Sequence, residues 1–276
     1  MNVIVSNQQQ ALLSTLDIDL IKSYFPLHIR ENAQFNKDML KEYIQLMILD
    51  FLSTTPYIRK LTFIGGTNLR LVKGIDRFSE DLDFDCKDMC KDEFMAMTDD
   101  VVVFLQRSGL NAVTRDRENE KLTAYRRNIH FPNLLFDLGL TGHREQRFLV
   151  KIEAQDQNVE YNPIMVNVKG CGFFFPLPVP PDDILCAMKL SALLKRSKGR
   201  DFYDSMFLLG MTRPNYDFLQ KRTGAGTPME LLEAIDRALE ETNLNIKKKD
   251  FEHLLFKKKN SDRILQFREF IKETIK

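Results

Sequence analysis

The sequence predicts an α+β chain, with a mixed half of strands and helices followed by a helical half. Three observations carry this. The β-prone run Leu61-Thr62-Phe63-Ile64 stops at Gly65-Gly66 and passes directly into a short helix. Leu82 and Phe84 then alternate with Asp81, Asp83 and Asp85, the period of a strand with one apolar and one acidic face. Beyond the proline-rich stretch 175–181, the apolar residues recur only at helical spacing.

Taken in order, residues 8–23 and 36–53 read as helices; in the second, Met39, Tyr43, Leu46, Met47, Asp50 and Phe51 fall three or four apart. After strand 61–64 comes a short helix, 67–72, then a polar turn past Gly74 and the acidic strand. Residues 92–107 read as a helix, followed by β-rich segments around 110–115, 122–131, 134–140, 147–154 and 164–175. Pro176, Pro178, Pro180 and Pro181 exclude a helix or central strand, so this stretch is read as a linker. The boundary placed there gives a first domain of residues 1–178, with N-terminal helices, and a helical domain of residues 179–276. Helices are predicted over 182–195, 202–209, 228–241, 248–256 and 261–275, with Thr227 as N-cap and Pro228 at the first helical position.

Composition excludes several classes. At 276 residues, 43% hydrophobic and 29% charged, the chain is too apolar for disorder. No apolar run approaches the roughly 20 residues that cross a bilayer, and the first residues lack the pattern of a signal peptide, so the expectation is a cytoplasmic protein without a membrane partner. Cys86, Cys90, Cys171 and Cys186 are too scattered for a disulfide framework or a four-ligand zinc site and are expected to be reduced. His28, His130, His143 and His253 form no metal-binding spacing, and Phe173-Phe174-Phe175 reads as packing. Charge is segregated: residues 76–100 carry ten acids against three bases, and residues 245–276 carry ten Lys or Arg against five acids. The first region suits cations; the second, with Lys247-Lys248-Lys249 and Lys257-Lys258-Lys259 read as one basic helix, suits a polyanion such as RNA.

Phosphoryl-transfer enzymes need metal ions that shield phosphate charge more than they need covalent chemistry from the protein. Two aspartates one residue apart on a strand point the same way, about 7 Å apart, and offer the oxygen ligands Mg²⁺ demands. Asp81 and Asp83 meet this requirement. A third acid is sought on a neighbouring strand; in the run 148–153, Lys151 and Glu153 share one face, which makes Glu153 the candidate. Gly65-Gly66 after a strand lets the backbone approach a phosphate with no Cβ in the way, and Thr67 at a helix start offers a hydroxyl. Each feature alone is common: a glycine pair ends many strands and a threonine caps many helices.

The combined string decides. Residues 65–84 read Gly-Gly-Thr-Asn-Leu-Arg-Leu-Val-Lys-Gly-Ile-Asp-Arg-Phe-Ser-Glu-Asp-Leu-Asp-Phe, which resembles the first motif of the AbiEii/AbiGii toxin family of nucleotidyltransferases, within the polymerase-β superfamily. There is no Gly-x₄-Gly-Lys-Ser/Thr loop, and Gly170-Cys171-Gly172 lacks the third glycine of a dinucleotide fingerprint. A second block, residues 185–204, is similar to the family's later motif: a helical lysine, Lys189, then Arg196, then Arg200-Asp201-Phe202-Tyr203-Asp204. Lys189 and Arg196 are seven apart, hence on one helical face. Asp201 reads either as the N-cap of a new helix after Gly199 or as a catalytic group, and Asp204 as a partner of Arg200 one turn away. Ser79 is a hydroxyl beside the aspartates that either touches phosphate or serves as a turn residue.

The resemblance implies a polymerase-β-like core, a mixed sheet flanked by helices, followed by a helical bundle. It implies NTP as substrate and two Mg²⁺ ions held by Asp81, Asp83 and Glu153, with Lys189 and Ser79 also catalytic. The nucleotide would lie on Gly65, Gly66, Thr67, Arg70, Lys189, Arg196, Arg200 and Asp201. The expected reaction transfers NMP to an acceptor such as a tRNA 3′ end, in a toxin of a toxin–antitoxin or phage-defence system opposed by a cognate antitoxin. Two alternatives are a non-catalytic nucleotide- or RNA-binding relative and a metal-dependent nuclease.

Overall fold

A computed structural model describes residues 16–115 and 123–275. The helices α1 (Ile18–Ser23) and α2 (Leu27–Arg30) lead into α3 (Asn36–Ser53), β1 (Leu61–Ile64) and α4 (Gly65–Leu71). The predicted stretch 8–15 lies outside the described residues. Next come β2 (Asp81–Cys86), α5 (Lys91–Arg107), β3 (Val113–Thr114), β4 (Tyr125–His130), α6 (Leu134–Asp137) and β5 (Leu149–Ala154). After β6 (Ile164–Gly170) and β7 (Phe173–Val179) the chain turns helical, with α7 (Asp182–Arg196), α8 (Gly199–Leu209), α9 (Tyr216–Thr223), α10 (Pro228–Glu240), α11 (Leu244–Lys247) and α12 (Phe267–Thr274).

The chain clusters into two compact units that interleave in sequence. One gathers the described residues up to Phe63 with Ser79–Gln157 and Met165–Pro178; the other gathers Ile64–Phe78, Asn158–Ile164 and the described residues from Val179 onward. The second unit therefore does not begin at 179 alone: Leu69, Ile75 and Val159 are buried with Ile184, Leu190, Phe202 and Phe267 in one apolar core.

The sheet unit is built on a five-stranded sheet of order β1-β2-β5-β4-β3, with β2 parallel to β5, β4 antiparallel to β5 and β3 antiparallel to β4. This is the mixed sheet of an α+β fold. Leu82, Phe84, Ile129, Val150 and Ile152 are fully or almost fully buried. The helices α3 and α5 pack on each other and on β5 and β4 respectively, and Phe51 stacks on Phe104 with ring centroids 4.5 Å apart. At about 25 cal/mol per Å² of apolar surface, side chains of this size each contribute roughly 1.5–3 kcal/mol when fully buried.

Three local expectations need correction. Residues 134–140 are not β: Asn133 takes the left-handed conformation with φ 62° and its carbonyl accepts from Asp137 N–H, which closes a single helical turn. The proline-rich stretch is not a linker but most of β7, whose one strand partner among the described residues is β6. In a two-stranded sheet every strand is an edge, so Pro176 and Pro178 withdraw no ladder donor that a neighbour needs, and Phe175, Leu177 and Val179 alternate inward. The lysine clusters do not share one helix: α11 and a 3₁₀ turn (Lys248–Asp250) hold the first, and another 3₁₀ segment (Lys258–Gln266) begins with the second. In addition, α9 lies where no element was predicted; its N-cap Asn215 accepts from Phe218 N–H, but its eight residues carry too short an apolar period to stand out. Thr227 and Pro228 begin α10 as predicted, with the threonine hydroxyl accepting from Glu230 N–H.

None of the four cysteines forms a disulfide. Burial, helped by Asp85, pushes the Cys86 thiol up to about 11, and burial next to Asp183 pushes Cys186 up to about 12. Cys90 is exposed. Since the thiolate is the nucleophile, Cys90 should be alkylated first at pH 8, with Cys86 and Cys186 protected until unfolding. Peptide mapping after brief iodoacetamide treatment checks this; modification of Cys86 at the rate of Cys90 would contradict the packing of β2.

Candidate active site

The sheet unit places the acidic strand beside β5 in parallel register, with Asp81 opposite Lys151 and Asp83 opposite Glu153. On the other side of β5, Arg126 stands opposite Glu153. Because side chains alternate, these five charged groups occupy one face of the sheet while Leu82 and Ile152 fill the other. The strand pair fixes their spacing at about 4.8 Å between backbones.

Their polar contacts are specific. Lys151 Nζ donates to Asp81 Oδ2 at 2.9 Å and lies 3.5 Å from Glu153 Oε1. Arg126 Nε donates to the same Glu153 oxygen at 2.6 Å. Asp81, Lys151 and Glu153 are all partly exposed, with side chains 21%, 26% and 23% accessible. Burial weakens the charge on Lys151, but Asp81 and Glu153 outweigh it and hold the ammonium pKa above its usual value. Lys41 on α3 is almost buried, over the Phe148 ring at 6.0 Å; burial lowers its pKa despite the pull of Glu80 and Asp81. Ser79 is half-buried, and its carbonyl accepts from Gln45 on α3 at 3.3 Å, which ties the approach to β2 onto that helix.

The donor set fits a hard divalent cation, since it consists of carboxylate oxygens and already holds a positive group between Asp81 and Glu153. The fit is best for the Asp81–Asp83 pair. Glu153 faces the same side, but Arg126 and Lys151 hold its carboxylate, and among the described residues no three Asp, Glu, His or Cys side chains gather to hold an ion. Asp81 and Glu153 are thus engaged by Lys151 and Arg126 in this structure.

The helical unit holds the remaining candidates. Arg77, fully buried, grips Asp204 with two hydrogen bonds, Nε to Oδ1 at 2.8 Å and a terminal nitrogen to Oδ2 at 2.7 Å. Lys189 Nζ adds a third to Asp204 Oδ2 at 2.8 Å. Burial opposes the charge on Asp204, yet Arg77 and Lys189 together outweigh it and bring its pKa down to about 2. Lys189 is only 7% exposed. Asp204 thus pairs with Arg77 and Lys189 instead of Arg200: a partner from a distant segment, in fixed bidentate geometry, wins over one helical turn.

Arg196 clamps Asp201 with two bonds of 2.9 and 2.8 Å, and Asp201 also accepts from Lys198 N–H at 3.3 Å. Asp201 is fully buried and is the third residue of α8, not its N-cap; its carboxylate reaches back to the N-cap Lys198 and so closes a capping box. Arg200 is half-buried on α8. Arg70 lies over Phe78 and Phe256, 5.7 and 4.7 Å from their centroids. Gly65 takes φ 82°, in the left-handed region open to glycine. Gly66 is half-buried and Thr67 fully buried.

Sequence reasoning missed Arg77 and Arg126, and gave no role to Lys151 although it placed that residue on the Glu153 face. The signal for Lys151 was the strand period. For Arg77, whose partner lies 127 positions away, only the motif itself pointed.

The model of the family described as nucleotidyl transferase AbiEii toxin, type IV TA system, matches residues 48–274. Among solved structures, the nucleotidyltransferase toxin MenT4 of Mycobacterium tuberculosis H37Rv superposes with TM-score 0.54 at 17% identity, over 94% of this chain and 90% of that one. JHP933 from Helicobacter pylori aligns with TM-score 0.49 at 18% identity, over 86% and 91%. No curated protein matches the chain. With a mixed α+β fold shared with MenT4 and a family match covering most of its length, the chain belongs to the AbiEii family of nucleotidyltransferase toxins.

Proposed function

We propose that this toxin transfers NMP from an NTP to an acceptor hydroxyl at an RNA 3′ end, such as that of a tRNA, and releases pyrophosphate. The observation that carries the reading is Asp81 and Asp83 on one face of β2, with Glu153 opposite Asp83 in register. Asp81 and Asp83 would hold Mg²⁺, with Glu153 joining once it leaves Arg126. Bound there, the ions would offset phosphate charge and polarise the reacting oxygens.

The chain's own groups complete the assignment. Gly65-Gly66 presents backbone with no Cβ to a phosphate. Lys189 is held by Asp204 as a fixed cation and acts as a preorganised charge for the NTP. Arg196, clamped by Asp201, presents a guanidinium whose side chain is 43% exposed; Arg200 and Arg70 supply further positive charge. Ser79 contributes its hydroxyl beside the aspartates. RNA would be met by the lysine-rich end of the chain, where basic residues outnumber acids ten to five over 245–276. An antitoxin protein opposing the activity follows from the family, and the cytoplasm, where NTP and tRNA are found, is the setting the reaction needs. Among the described residues no helix is long and apolar enough to cross a membrane.

Incubation of the purified chain with each α-labelled NTP, Mg²⁺ and total cellular RNA tests this. Label that enters a ribonuclease-sensitive product supports the reading. Label that enters only protease-sensitive material assigns the acceptor to protein, and shortened RNA without label assigns cleavage; either result removes the RNA-transfer reading.

A further inference from the structure

Two cations, Lys151 on β5 and Arg126 on β4, surround the acids in a way the transfer reaction does not require. Lys151 stands opposite Asp81 in the strand register, and its ammonium lies 2.9 Å from Asp81 and 3.5 Å from Glu153. Arg126 takes the same Glu153 oxygen at 2.6 Å. Three carboxylates and two cations share this face, so most of the negative charge that would attract a divalent ion is already matched.

The two cations differ in kind. Arg126 is a planar fork anchored on Glu153 from the far side. Lys151 is a point charge at the end of a flexible four-carbon stem, bound to one of the two aspartates, and its side chain is 26% accessible. An ammonium in hydrogen-bond contact with Asp81 Oδ2 occupies an oxygen that a metal would use.

We propose that Lys151 is a displaceable internal cation that competes with the divalent ion for Asp81 and Glu153. The inference rests on the proposed role of Asp81 and Asp83 as metal ligands. It assigns Lys151 as a positioning residue that weakens metal binding in the absence of nucleotide and keeps the acids paired until an ion enters. Removing the ammonium leaves the carboxylates with less compensating charge, so a divalent ion binds more tightly while the metal-free protein loses an ion pair.

The test uses the full chain stripped with EDTA and titrated with Mn²⁺, with free ion read by electron paramagnetic resonance, for wild type, Lys151→Met, Lys151→Gln, Lys151→Arg and Asp81→Asn. Lys151→Met and Lys151→Gln should bind Mn²⁺ more tightly than wild type, by up to about fivefold, given interaction energies of up to about 1 kcal/mol for partly exposed charge pairs. Lys151→Arg, which restores a cation, should return toward wild type, and Asp81→Asn should bind more weakly. Saturating Mn²⁺ should raise the melting temperature of Lys151→Met more than that of wild type. Equal or weaker Mn²⁺ binding by both neutral variants would overturn the inference while leaving the metal reading intact. No uptake by wild type or any Lys151 variant would remove the metal reading itself, and this inference with it.

Discussion

Asp81→Asn and Asp83→Asn each reduce NMP transfer by at least about a thousandfold, roughly 4 kcal/mol of transition-state stabilisation. Asparagine keeps the shape of aspartate but loses the charge. Both side chains sit on the partly exposed face of β2, away from the buried Leu82 and Phe84, so neither change opens a cavity. Asp81→Asn also leaves Lys151 near Glu153, which avoids an isolated cation. Melting temperature should therefore stay within a few degrees of wild type while activity disappears. Label-transfer rates alongside thermal denaturation check this. A double variant that retains full activity, or that loses activity only because it unfolds, sinks the assignment.

Asp204→Asn produces the largest expected loss of stability. The variant leaves Arg77, fully buried, and Lys189, 7% exposed, without the carboxylate that balances both. Breaking a buried pair by removing one partner costs about 3–5 kcal/mol because a charge remains uncompensated. For units of this size that corresponds to a fall in melting temperature of roughly 10 °C. Acid titration supplies a second reading. The Asp204 pKa lies at about 2 against an ordinary 3.8, so its ionisation stabilises the fold above pH 3.8 and that contribution is lost as pH falls through about 2. Asp204→Asn should lack this part of the acid dependence. A variant that melts with wild type would show that Arg77 and Lys189 find other partners.

Much of the fold was readable because it repeats short periods. The α3 helix appears at its full extent from apolar residues three and four apart, and the β2 strand from strict alternation. The misread segments are those where pairing and not period decides. Pro176 and Pro178 look like breakers until β7 is seen to have β6 as its strand partner, and residues 134–137 look β-prone until Asn133 turns the chain. Segments 64–78 and 158–164 join the helical unit through burial of Leu69, Ile75 and Val159, which no local pattern announces.

The site divides in the same way. Alternation alone could place Asp81 and Asp83 on one face of their strand and Glu153 with Lys151 on one face of theirs, but that the two faces coincide depends on the β2–β5 register. The counter-ions of these acids could not be assigned. The Lys151–Asp81 pair spans 70 positions, and the Arg77–Asp204 pair spans 127; each depends on register or packing that sequence spacing does not contain. Asp204 was assigned to Arg200 because helical spacing is the only partner rule visible along the chain.

In the proposed reaction the bond between the α- and β-phosphates of an NTP breaks. Parallel reactions with the same NTP labelled at the α- or the γ-phosphate measure this directly. The α-label should move to the acceptor RNA while the γ-label leaves as pyrophosphate, and both signals should vanish in Asp81→Asn. γ-label on the acceptor, or α-label released as free nucleotide with no acceptor modified, would contradict that reaction.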